Sequence, residues 1–179
     1  MGRTKRKLAT EVAEYDVRTK ILHWVFAAGI LYASAVGYAL HFIPPGRIHT
    51  GLSHLNMSLA SVLILLFPFR VWWRIVRPEP APPQGLSVGQ VHAARMIQTV
   101  IYAAIFAVLA SGYLMVPDGY WFFGFAWVPT PFAKGAATDF FFMVHRIGCA
   151  ALVSLVGLHL GGVILHTFVK PIGLLRRMA

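Results

Sequence analysis

Four long apolar runs, at residues 21–42, 51–73, 96–116 and 141–169, decide what this chain can become. Each matches the length of about 20 residues that a helix needs to cross the hydrocarbon core of a bilayer. Lipid offers no hydrogen-bond partner to a backbone amide, so a run that crosses it must satisfy its own backbone, and the runs are predicted to be helices. The breaks between them carry turn chemistry: Pro44-Pro45-Gly46, then Pro78, Pro80, Pro82 and Pro83, then Pro117-Asp118-Gly119. Residues 119–140 are aromatic but interrupted by Gly and Pro, which predicts a hairpin or short helix at the membrane interface, where Trp and Tyr settle.

Composition closes off the other classes. The chain is 58% hydrophobic and only 12% charged, too few charges to coat a soluble domain of 179 residues. Its 13 Phe, 5 Trp and 6 Tyr exclude disorder, and the single Cys149 excludes a disulfide framework. The net charge of +10 does not describe a nucleic-acid surface, because the basic residues sit between apolar runs. Of the 16 Lys and Arg, all but Arg47, Lys134 and Arg146 lie in the N-terminal segment, around the 70–95 loop or at the C-terminus. That asymmetry predicts both termini in the cytoplasm. The first apolar run is too long for the core of a signal peptide, so it is expected to be retained. The organisation expected is a basic cytoplasmic segment at 1–20, an all-α transmembrane four-helix bundle at 21–170 and a basic cytoplasmic tail at 171–179.

Chemistry has to come from the histidines, because an imidazole at membrane depth asks for a partner. His145 and His159 are 14 residues apart on the fourth run, which places them about 21 Å apart along roughly one helix face. His23 on the first run matches the depth of His159, and His54 on the second matches that of His145. Two pairs, one in each leaflet, suit two flat cofactors stacked across the membrane with an imidazole on each side. Interhelical hydrogen bonding is the alternative for any single one. A zinc site is disfavoured, since zinc wants its three or four ligands in one cluster. Glycines on the first and fourth runs (Gly29, Gly37, Gly148, Gly157, Gly161, Gly162) leave room for a macrocycle or for close helix packing. Cys149 reads as a packing residue one turn after His145. His41 and His49 flank the outer loop and read as surface residues, His92 before the third run is expected to face water, and His166 near the inner headgroups is expected to snorkel or to bond a carboxylate of the cofactor.

The sequence resembles the bacterial cytochrome b561 family, which includes the membrane superoxide oxidase. The resemblance covers nearly the whole chain from Tyr15. It rests on Tyr15-Asp16 and Leu22-His23-Trp24; on Arg70-Val71-Trp72-Trp73-Arg74 before the proline-rich loop; and on Ile101-Tyr102 with Ser111-Gly112-Tyr113-Leu114. Phe122-Phe123-Gly124, His145 with Gly157-Leu158-His159, and the closing Leu174-Leu175-Arg176-Arg177-Met178 complete it. The resemblance implies a four-helix bundle in the bacterial inner membrane with two haem b groups between its helices. The inner haem is then held by His23 and His159, and the outer by His145 with a residue of the second span. There the sequence departs from the family pattern: counting back from Arg70, the expected histidine falls at Asn56, and His54 stands two residues earlier. His54 is taken as the ligand because asparagine is a poor one; His49 and a missing outer haem are the alternatives. On the third span Gln98 stands where the family often has a histidine.

Imidazole on both faces of haem iron leaves no open position for oxygen and suits electron transfer. The expected function is therefore a membrane cytochrome passing electrons between the quinone pool, ubiquinone included, and a periplasmic or membrane redox partner. A stand-alone superoxide oxidase reducing ubiquinone and a haem-free helical membrane scaffold or transporter are the competing classes. Arg18, Lys20 and Arg74 inside, with Arg47 and Arg146 outside, are the expected partners of the haem propionates or of lipid headgroups. No nucleic acid is expected as a partner.

Overall fold

Residues 14–82, 85–169, 177 and 178 are described by the structure, a computed structural model. The basic residues Arg3, Lys5, Arg6 and Lys7, and Lys170 and Arg176 near the other end, lie outside the described residues, as do the segments 1–13 and 171–176.

Asp16 opens α1 (Val17–Ala39) by accepting hydrogen bonds from the Thr19 backbone N–H and hydroxyl, a side-chain N-cap. The same carboxylate accepts from the Trp73 indole at 3.2 Å, which ties the start of α1 to the far end of α2. Burial alone would raise the Asp16 pKa, but the bonds from Thr19 and Trp73 outweigh it and hold the carboxyl below 3.8. After the Pro44-Pro45 turn, α2 (Arg47–Val76) runs through Pro68 without ending. The third helix, α3 (Val88–Leu114), starts eight residues before the apolar run does. Ser87 and Gln90 form a reciprocal capping box there, which extends the helix into polar sequence that hydropathy alone leaves in the loop. Thr138 closes the first turn of α4 (Ala136–Ile164) through bonds with Gly135, and a five-residue π-helical turn, Leu165–Val169, continues it.

All four helices are long and apolar enough to cross a membrane. Their outward faces carry Leu31, Leu65, Phe106 and Val153, each more than half exposed. In water such faces would be a liability; in lipid they are the solvated surface. Four serines inside the spans satisfy their own hydroxyls: Ser58, Ser61, Ser111 and Ser154 each donate to the carbonyl four residues back.

The chain runs up and down, so the start of α1 and the end of α4 lie at one end of the bundle, the termini end. The closest packing is α3 on α4, followed by α1 on α2 and α2 on α3. One buried residue from each helix meets at mid-bundle: Phe26, Leu63, Ile105 and Leu152. This layer divides the interior into two halves.

Between α3 and α4, at the end opposite the termini, β1 (Tyr120–Phe122) pairs antiparallel with β2 (Ala126–Val128). A hairpin is therefore what the interrupted aromatic stretch forms. Trp121 faces Trp127 across it, with ring centroids 5.6 Å apart, and both rings stay half exposed as interfacial anchors. Gly119 enters the hairpin at φ +102°, where a Cβ would stand 2.6 Å from the Val128 carbonyl oxygen, so only glycine fits.

Candidate cofactor site

At the termini end, helical periodicity builds one wall of a cavity. Arg70, Trp73, Arg74 and Arg77 recur at intervals of three and four on α2, which puts them on one face, and all four line a cavity of about 370 Å³. His23 from α1 and His159 from α4 line the same cavity. Both imidazoles are half-buried. The mid-bundle layer forms the floor through Phe26 and Ile105.

The arginines are held by aromatic faces rather than by acids. Arg70 donates from Nη1 to the Leu22 carbonyl at 2.5 Å, with its guanidinium 4.7 Å from the Phe26 ring centroid and 5.2 Å from that of Tyr102. Arg74 lies 5.0 Å from the Tyr102 ring and donates to Gln98 Oε1 at 3.3 Å. Arg77 lies 4.7 Å from the Tyr15 ring. Two of their nitrogens, Arg70 Nε and Arg77 Nη1, are buried with no hydrogen-bond partner. A buried cationic N–H without an acceptor is costly. The site therefore calls for an anion with carboxylate-like oxygens, for which guanidinium is the matched donor. Trp24 donates to the Met178 carbonyl at 2.8 Å and Arg177 to that of Ala81 at 2.6 Å, so the chain's end is fastened beside this cavity.

The opposite end is arranged differently. His145 on α4 turns toward α3: its Nδ1 lies 3.0 Å from the Val108 carbonyl and 3.4 Å from Ser111 Oγ, and its Nε2 lies 3.4 Å from Cys149 Sγ. Gly112 makes room for the ring, since a Cβ there would come within 3.0 Å of it. His54 sits on the exposed side of α2, whereas Asn56, two residues on, has its Oδ1 buried without a hydrogen-bond partner. His49 is half-buried; His41 and His92 are exposed, and His92 Nδ1 lies 2.9 Å from the Val88 carbonyl. His166 lies in the π-helical turn, its Nδ1 buried without a partner. The structure thus brings His23 and His159 to one cavity and gives His145 and His54 separate neighbours.

The profile of the prokaryotic cytochrome b561 family matches residues 14–179. The chain belongs to that family. Cytochrome b561 homolog 2 of Escherichia coli (strain K12) is 29% identical over 170 residues, covering 92% of this chain and 90% of that relative. The chain is accordingly a multi-pass membrane protein of electron transfer, and the cytochrome b561 family binds haem b.

The cavity fits that group. It offers two imidazoles from opposing helices for the iron and two unpartnered guanidinium nitrogens for the propionate carboxylates. Of the propionate partners expected from sequence, Arg74 lines the cavity. Arg18 instead stacks 4.9 Å from the Trp73 ring, and Lys20 pairs with Glu14 at 3.1 Å. Arg47 is exposed, and Arg146 rests 5.8 Å from the Phe142 ring. Arg70 and Arg77 went unassigned at the sequence level. The signal that finds them is the spacing they share with Arg74 and Trp73.

Proposed function

We propose that this cytochrome b561 protein binds haem b in the cavity at the termini end, where His23 and His159 would hold its iron. We propose further that it carries electrons between the quinone pool and a membrane or periplasmic redox partner. One observation supports the reading above all: two imidazoles and two buried, unpartnered arginine nitrogens converge on one cavity among apolar walls. Bound there, a bis-imidazole haem b supplies a one-electron couple without an open coordination site.

The chain's own residues do the rest. His23 and His159 would hold the iron from two helices. Arg70 and Arg77 orient its carboxylates, and their positive charge favours the reduced form. Phe26 and Ile105 exclude water from below. Tyr102 holds Arg70 and Arg74 in place by presenting its ring to both. With the basic C-terminal end of α2 and the N-terminal segment in the cytoplasm, this site lies in the inner leaflet of the inner membrane, and residues 21–170 form the cytochrome domain.

The test is a dithionite-reduced minus oxidised spectrum with pyridine haemochrome quantitation on the purified protein. His23→Ala and His159→Ala each lose the low-spin haem of this site, and His41→Ala keeps it. A featureless spectrum from the wild type, or full haem content in both ligand variants, refutes the proposal.

A further inference from the structure

We infer that this chain carries a single haem, and that the half of the bundle opposite the termini is a protein-filled plug closed by the β-hairpin. The inference rests on the haem reading of the His23/His159 cavity.

Three independent features of that half oppose a second bis-imidazole site. The first is the ligand on α2. In the family pattern it falls at Asn56, and the neighbouring histidine does not replace it. Two residues rotate a side chain by about 200°, and the structure has the consequence: Asn56 buries its Oδ1 while His54 sits on the exposed side. The second is His145. Its two nitrogens already have neighbours within the tightly packed α3–α4 pair: Nδ1 the Val108 carbonyl and Ser111 Oγ, and Nε2 the Cys149 Sγ.

The third is the hairpin itself. Tyr120 is only 5% exposed, and its hydroxyl hydrogen-bonds Ser61 of α2. The Phe123 backbone N–H donates to Ser58 Oγ at 2.8 Å, and Ser58 is completely buried. Phe123 adopts φ +47°, a conformation unfavourable for a residue with a Cβ, and this bond holds it there. Ser58 and Ser61 lie between Asn56 and Leu63 of the mid-bundle layer, so the hairpin penetrates to within about 3 Å, along the helix axis, of that layer. A macrocycle ligated from α2 and α4 at this depth would have to displace Tyr120 and break both bonds. The other half, built from the same four helices, keeps its cavity open.

The consequence is functional. With one haem on the termini side of the Phe26 layer, the chain is not by itself an electron conductor across the full bilayer. Its donor and its acceptor then both approach the termini half, which narrows the proposed redox partner to one in the membrane and excludes a periplasmic one.

The experiment measures haem per polypeptide on the full-length protein in nanodiscs, by pyridine haemochrome against amino-acid analysis, with low-temperature EPR to count low-spin ferric species. The expected result is a ratio of one and a single low-spin signal. Both are lost in His23→Ala and unchanged in His145→Ala, His54→Ala and His49→Ala. Should His145→Ala fail to fold, His145→Gln keeps an amide donor for Val108 and is expected to retain one haem. A ratio of two, with His23→Ala and His145→Ala each removing one haem, overturns the single-haem inference and leaves the His23/His159 reading standing. A ratio of one that vanishes in His145→Gln but persists in His23→Ala overturns both.

Discussion

Phe26→Ala tests the layer on which the two halves of the bundle meet. Phe26 is 1% exposed, packs on Leu63, Ile105 and Leu152, and lies beneath the Arg70 guanidinium at 4.7 Å and beside the Phe67 ring at 6.1 Å. In a water-soluble core, Phe→Ala costs about 3–5 kcal/mol. About 1.5–3 kcal/mol of that is the transfer of the ring out of water. That term is absent here, because separated helices would sit in lipid as apolar as the core. About 1–3 kcal/mol of lost packing remains. The desolvated guanidinium over the ring adds about 1–2 kcal/mol, so the expected cost is about 2–5 kcal/mol. The assay is reversible unfolding in mixed micelles followed by loss of the Soret band, in parallel with Phe26→Leu. Leucine keeps most of the volume and loses the cation–π contact, so its cost should be about half as large. A cost below about 1 kcal/mol for Phe26→Ala with full haem content would refute the claim that this layer holds the cavity floor.

Other perturbations address separate features. Arg70→Met removes a donor from the cavity, and the haem midpoint potential should fall, since a cation beside the group favours the reduced form; redox titration checks the sign. Asp16→Ala removes the α1 N-cap and its link to Trp73, and should cost about 1 kcal/mol in the same unfolding assay. Because the Asp16 carboxyl is held below 3.8, its stabilisation is complete above that pH and is lost as pH falls through the folded-state value; Asp16→Asn should remove that part of the acid sensitivity. Gly119→Ala, forced against the Val128 carbonyl, should loosen the hairpin, read as faster amide exchange at Phe123 and protease cleavage near residue 124.

The bundle was legible in the sequence because the bilayer imposes a simple length rule on apolar runs, and the helices were found wherever that rule applies. The start of α3 escaped it, since Ser87 and Gln90 build a cap from polar side chains that hydropathy ignores. His23 and His159 were legible as a depth-matched pair, since helical rise converts sequence position into depth. Direction is harder to read than depth. His54 and His145 match in depth, yet one sits on the exposed side of α2 and the other turns into α3. Facing depends on helix rotation, which is set by packing partners such as Ser58 against the hairpin, far away in sequence. The arginine cluster was present in the spacing, but charges at span ends read first as topology markers, and only the aromatic seats of Arg70 and Arg74 on Tyr102 mark them as interior.

His145 is satisfied without iron, because Val108 supplies a carbonyl and Gly112 leaves space for the ring, so an imidazole there carries no unpartnered nitrogen into the bilayer. At the other end the balance is reversed. Arg70 and Arg77 each bury a nitrogen without an acceptor, and His23 and His159 open onto the cavity between them. A bilayer penalises such orphaned donors, so the haem proposed for that end, with its carboxylates, should add to the stability of the bundle there. Cofactor binding and assembly should therefore be coupled at the termini end and independent at the hairpin end. Haem depletion during expression ought to expose the α1–α4 side of the bundle to proteolysis while leaving the α3–hairpin–α4 unit protected.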